Sequence, residues 1–166
     1  MIIYKQGDIF KTECQALVNP VNTHGSMCSG LAASFRKKFP ANNKFYKTAC
    51  KLGQVKIGSM FVWEKATVGD DCTIPQRYLI NFPTKDDPRK PSEYDYIEKG
   101  LEDLANYIIY KDIKSIAIPA LGCGLGTLEW EIVSEMIERQ LSYVSEKYLT
   151  IIEVYEPQNS FYFHIK

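Results

Sequence analysis

Ser115-Ile116-Ala117-Ile118-Pro119-Ala120-Leu121-Gly122-Cys123-Gly124-Leu125-Gly126-Thr127 joins a buried strand to a glycine-rich turn. Ser115 to Ile118 is a continuous apolar run, as expected of a strand covered on both faces of a parallel sheet. From Pro119 to Thr127, glycine recurs at every second position (Gly122, Gly124, Gly126), a spacing that suits a loop wrapping an anion with successive backbone N–H groups. No Lys-Ser/Thr follows the glycines and the chain order differs, so this is neither a P-loop nor a dinucleotide fingerprint. The apolar periodicity then predicts a helix from about Leu128 to Tyr143, burying Trp130, Val133, Ile137 and Leu141.

The same alternation extends in both directions. Met1 to Lys5 and Ala16 to Asn19 read as strands. A helix is predicted from Gly30 to about Phe39, stopped by Pro40, and another from Lys44 to about Leu52, capped by Asn42 or Asn43. Met60 to Trp63 and Tyr78 to Phe82 read as strands separated by an exposed turn region, Thr67 to Gln76. The clearest helix runs from Glu93 to about Tyr110, with Ser92 as its cap and Ile97, Leu101, Leu104, Ala105 and Ile108 as its buried stripe. Leu149 to Tyr155 is the last strand. This pattern predicts an α/β fold with a central mixed, mostly parallel sheet and helices on both faces. One domain is expected over 1–157, with 158–166 as a tail or edge strand.

Composition narrows the class. Of 166 residues, 45% are hydrophobic and 24% charged, ordinary globular usage for one domain. No apolar run approaches the roughly 18 residues of a membrane helix, and no secretion signal opens the chain, so a cytoplasmic protein with no membrane partner is expected. Five irregularly spaced cysteines read as reduced thiols, and with two histidines and no C-x-x-C pair no metal site is expected. Net charge is zero, yet residues 1–66 carry 10 basic and 3 acidic side chains. Much of that excess lies from Arg36 to Lys56, either as solvated helix faces or as a face that meets a polyanion.

Three segments at strand ends carry chemistry, where open α/β sheets bind ligands. Asn19-Pro20-Val21-Asn22-Thr23-His24-Gly25-Ser26-Met27-Cys28-Ser29-Gly30 leaves a strand and enters a helix whose first N–H groups suit phosphate. The loop from Pro119 to Thr127 is a second anion cradle, and the two together suggest a diphosphate held between two helix starts. In Asn81-Phe82-Pro83-Thr84-Lys85-Asp86-Asp87, Lys85 is either a solvated lysine or a nucleophile or charge stabiliser beside the cleft.

Gly7-Asp8-Ile9, Val18-Asn19-Pro20-Val21-Asn22 and Gly122-Cys123-Gly124-Leu125-Gly126 resemble, in order and spacing, the macro domain family over roughly Met1 to Pro157. Ile80 to Lys85, Trp130 and Tyr155-Glu156-Pro157 are similar to the branch that holds the terminal ADP-ribose protein glycohydrolases and the DarG antitoxins. The resemblance implies an ADP-ribose ligand and a lysine-dependent ADP-ribosyl glycohydrolase without a cofactor. Asp8 and Ile9 would hold adenine, with Tyr155 either packed on it or buried at the strand end. Gly30 and its neighbour Leu31, with the run Gly122, Cys123, Gly124, Leu125, Gly126, Thr127, would hold the diphosphate, and Pro119 would line the ligand site. Asn22 would contact the distal ribose, Lys85 would be catalytic, and His24 would be either a second acid/base or an exposed loop residue. Cys28 and Cys123 are expected as small packing residues. Protein-directed members carry an aspartate where Gly126 stands, so the resemblance favours release of ADP-ribose from thymidine in single-stranded DNA, with a cognate ADP-ribosyltransferase toxin as partner. Action on modified protein side chains or small ADP-ribose esters, and ADP-ribose binding without catalysis, are the alternatives.

Overall fold

Among the described residues, strands and one-faced helices build a six-stranded sheet ordered β1-β6-β5-β2-β4-β3. The computed structural model describes residues 1–66 and 74–158. Its elements are β1 (Ile2–Lys5), a 3-10 turn (Ile9–Lys11), β2 (Ala16–Asn22), α1 (Gly30–Lys38), α2 (Pro40–Lys51), β3 (Phe61–Glu64), β4 (Tyr78–Lys85), α3 (Tyr94–Lys111), β5 (Ser115–Ile118), α4 (Trp130–Lys147) and β6 (Ile151–Tyr155). Every neighbouring pair is parallel except β3 with β4. The expected mixed, mostly parallel sheet is therefore found. Residues 67–73 of the expected turn region and 159–166 of the expected tail lie outside the described residues.

The two faces are filled separately. Ile80 and Phe82 of β4 with Ile116 and Ile118 of β5 pack against Ile97, Leu101 and Leu104 of α3 and Val133, Ile137 and Leu141 of α4. Leu17, Leu79 and Ala117 point to the opposite face and pack with Phe35 and Phe39 around α1. This alternation is the period of two expected of strands covered on both sides. Among the described residues no helix is long and apolar enough to cross a membrane.

Several boundaries differ from expectation. Pro40 opens α2 at its first turn, where its missing N–H costs nothing, so Asn42 and Asn43 lie inside the helix and cap nothing. Ser92 does not cap α3: Glu93 holds the cap position, and the buried Ser92 hydroxyl has no partner among the described residues. α4 runs from Trp130 to Lys147, and β6 begins at Ile151 because Leu149 is left-handed, with φ 56°. β2 continues through Pro20 to Asn22 and β4 through Pro83 to Lys85.

The last difference has a polar cause. Asn19 and Asn81 are register partners, and both are fully buried. Asn19 Nδ2 and Asn42 Nδ2 each donate to Asn81 Oδ1 at 3.1 Å. Asn81 Nδ2 in turn donates to Asn42 Oδ1 and to the Phe61 carbonyl, both at 2.9 Å. One side chain thus ties β2, β3, β4 and α2 together. Asn81→Ala leaves several buried polar groups unpaired and is expected to cost about 2–4 kcal/mol in urea unfolding, against under about 0.5 kcal/mol for the exposed Asn106→Ala.

Candidate functional site

β2 pairs with β5 only at Ala16 and Leu17. Beyond them the strands separate, β2 leading to α1 on one face of the sheet and β5 to α4 on the other. This is a topological switch point, where open α/β sheets leave a crevice at their carboxyl edge. Two loops border it. Gly30 at the start of α1 has φ 60°, and a Cβ there would lie 3.4 Å from Leu125 Cδ1, so the loops meet across the crevice. Ser29 gives α1 no side-chain cap, and the N–H groups of Gly30, Leu31 and Ala32 have no protein acceptor among the described residues.

The loop after β5 folds on itself. Cys123 N donates to Ala120 O (3.1 Å), Thr127 N to Gly124 O (3.1 Å) and Leu128 N to Gly122 O (2.9 Å). The N–H groups of Gly124, Leu125 and Gly126 between them donate to no acceptor among the described residues. Pro119 is buried beneath the loop. Gly126 is glycine for want of room: a Cβ would run into Ser92 Oγ and lie 2.5 Å from Gly122 O, while Ser92 N donates to Gly126 O at 3.0 Å. Thr127 takes φ 68°, a strained conformation for a β-branched residue. Cys123 is half-buried, and burial, helped by Glu131, pushes its thiol up to about 12. Cys28 corrects expectation. It is exposed rather than packed, and a hydrogen bond with Ser26, then the Arg36 and Lys47 charges, lower its thiol.

At the other side of β2, Asn22 and Lys85 stand directly opposite each other on adjacent strands. The ladder pairs Val21 with Pro83 and then Asn22 with Lys85, skipping Thr84. Proline has no N–H to give the ladder, and a one-residue irregularity next to it re-aims the chain beyond. Asn22 is buried: its Oδ1 accepts from His24 N (2.9 Å), Ser26 N (3.3 Å) and Tyr46 Oη (3.2 Å), and its Nδ2 donates to Ser26 O (2.8 Å). Tyr46 Oη also donates to the Asn22 carbonyl at 2.5 Å. Asn22 therefore shapes the 23–26 turn at the end of β2.

The acidic neighbours of Lys85 are engaged elsewhere. Thr23 Oγ1 donates to Asp86 O (2.7 Å) and Oδ1 (2.9 Å). Asp87 pairs with Arg89 at 2.8 Å. The Arg89 guanidinium and then its N–H hold the Asp87 carboxyl well below the usual carboxylate range, and His24 adds to this from the exposed side of its turn. Among the described residues Lys85 makes no ion pair.

At the opposite end of the crevice, Asp8 is exposed, with one carboxylate oxygen capping the 3-10 turn by accepting from Phe10 N (2.9 Å). Ile9 and Tyr155 are buried in one cluster, with Leu31 packed on it, and Tyr155 Oη donates to Glu153 Oε2 at 3.2 Å. The sequence gives no role to Tyr46 and offers Asn42 and Ser92 only as helix caps, whereas Tyr46 bonds Asn22, Asn42 pairs with Asn81 and Ser92 packs against Gly126. The available signal was a tyrosine and an asparagine four residues apart on the buried face of a helix. Among the described residues no group of three or more His, Cys, Asp or Glu side chains gathers to hold a metal.

A sheet covered by helices on both faces, with two glycine-containing loops meeting at its switch point, is the architecture of this chain. The chain belongs to the macro domain family, whose profile matches residues 18–137. It is 39% identical over 157 residues to the DNA ADP-ribosyl glycohydrolase of Thermus aquaticus, covering 95% of this chain and 41% of that protein. The chain thus spans about two fifths of that relative's length. The macrodomain of Mycobacterium tuberculosis DarG superposes with a TM-score of 0.86 at 37% identity, over 95% of this chain and 98% of that one. Thermosipho africanus DarTG in complex with ADP-ribose superposes at 0.81 with 32% identity, over 93% and 42% of the two chains.

The contrast between two glycines tests the loop. Gly126→Ala is expected to lose about 1–3 kcal/mol of stability from overpacking and to weaken ADP-ribose binding, measured by unfolding and calorimetry. Gly124→Ala, whose Cβ meets nothing within 4 Å, leaves stability within about 1 kcal/mol of the parent.

Proposed function

We propose that this chain binds ADP-ribose along the carboxyl edge of its sheet and hydrolyses it from thymidine bases in DNA. One observation carries the reading: the strand order across the sheet matches the order of the ligand parts that the proposal assigns to its strand ends. Asp8 and Ile9 follow β1 and Tyr155 ends β6, at the adenine end. The glycine loop follows β5 and α1 follows β2, at the diphosphate. Asn22 and Lys85 end β2 and β4, at the distal ribose. From β1 to β4 is four strand spacings, about 19 Å at about 4.8 Å each, the reach of an extended nucleoside diphosphate sugar. The N–H groups at 30–32 and 124–126 suit the diphosphate.

The relatives support the rest, since the Thermus protein is named for acting on ADP-ribosylated DNA and the Thermosipho structure contains ADP-ribose. The crowding at Gly126 keeps a carboxylate out of the loop where protein-directed members carry one. In the reaction the bond from C1″ to the base breaks with its electron pair going to the base. Water supplies the hydroxyl to C1″ and the proton to the base. Lys85 acts at C1″ either as a neutral-amine nucleophile or as a fixed charge, and Asn22 holds the ribose beside it. The substrate must come from an ADP-ribosyltransferase that modifies DNA.

An oligonucleotide ADP-ribosylated on thymidine tests the reading. Lys85→Ala is expected to slow release by about 10³-fold while affinity for free ADP-ribose stays within a few-fold. Lys85→Arg keeps the charge but not the nucleophile, so its activity separates the two roles. Tight ADP-ribose binding with no release by the parent chain would contradict the hydrolase reading.

A further inference from the structure

Residues 14–63 contain no aspartate or glutamate, yet they carry every basic side chain from Arg36 to Lys56. Each ion pair among the described residues draws its cation from elsewhere in the chain. On α2, Asn42, Tyr46 and Ala49 face inward, and Lys44, Lys47 and Lys51 are exposed. Phe45 lies on the flank towards β3, 42% exposed, stacked on Phe61 with ring centroids 4.6 Å apart and planes 28° from parallel. The two rings, with Ala41, Lys44 and Thr48, line an open groove of about 390 Å³. An aromatic wall bordered by unpaired lysines suits the bases and phosphates of a single nucleic-acid strand.

This face is continuous with the cleft. A Cβ on Gly25, in the turn that Asn22 shapes, would lie 3.3 Å from Cys50 Cβ and 3.8 Å from Lys47 Cα of α2. At the far side of α2, Phe61 pairs with Asn81, four residues before Lys85. Four residues at about 3.3 Å each put the groove about 13 Å along β4 from Lys85. That equals roughly four stacked nucleotides at about 3.4 Å each.

We infer that the α2 face is the track for single-stranded DNA flanking the modified base, with a base against Phe45 and Phe61 and phosphates on Lys44 and Lys51. The inference rests on the DNA reading proposed above. It is tested with oligonucleotides that carry one ADP-ribosylated thymidine and from none to about eight flanking nucleotides. For the parent chain kcat/KM rises with length and levels off near four nucleotides on one side. Phe45→Ala lowers kcat/KM on the long substrate about tenfold, through KM, and leaves the shortest substrate and free ADP-ribose affinity unchanged. Lys44→Glu with Lys51→Glu flattens the slope of log affinity against log salt by about 1.4, two single-strand phosphate contacts. Equal turnover of long and short substrates by the parent, or variants that match the parent at every length, overturns the track while leaving the DNA reading intact. No release from any modified oligonucleotide overturns both.

Discussion

Asn19 and Asn81 lie side by side on β2 and β4 without access to solvent; Asn19 Nδ2 donates to Asn81 Oδ1, and Asn81 also pairs with Asn42 and donates to the Phe61 carbonyl. A strand register that slipped by one residue would separate these groups and turn each strand's apolar side chains to the wrong face. Each buried polar group left unpaired would add about 1–3 kcal/mol to that cost. The lock fixes the register up to Val21 and Pro83, and the step past Thr84 then decides which residue stands opposite Asn22. With the step, that residue is Lys85. A polar contact inside the core thus fixes the register from which that step departs.

The cleft owes its other half to what the strands stop doing. β2 leaves β5 after Leu17, and the helices that follow the two strands go to opposite faces. Among the described residues the N–H groups at the start of α1 and in the glycine loop have no protein acceptor, an arrangement that suits an anion. Asp86 accepts from Thr23 and Asp87 pairs with Arg89, and among the described residues Lys85 makes no ion pair. The proposed diphosphate cradle and the proposed lysine site therefore share one edge of the sheet.

Much of this is legible in the residues. The apolar run Ser115 to Ile118 and the three alternating glycines specify a strand-loop-helix unit, and repetition of that unit specifies the layered sheet. The strand ends are less legible because Pro20 and Pro83 read as breakers, whereas here they continue strands towards a ladder irregularity. Ser92 has the chemistry of a cap, but tertiary packing turns it against Gly126. Asn42 resembles a helix cap for the same reason, yet its partner lies on β4, distant in sequence. Local chemistry is readable along the chain; which distant group uses it is settled only by packing.

The central claim is that the ligand lies along the carboxyl edge with its distal ribose between Asn22 and Lys85. A crystal structure of the Lys85→Ala chain with a short ADP-ribosylated oligonucleotide, superposed on the parent chain, tests it most directly. The predicted result puts C1″ about 3–3.5 Å from the position of Lys85 Nζ, as reaction requires, with the diphosphate on the N–H groups of residues 30–32 and 124–126. A ligand bound in the reverse direction, or with its diphosphate away from both loops, would contradict it.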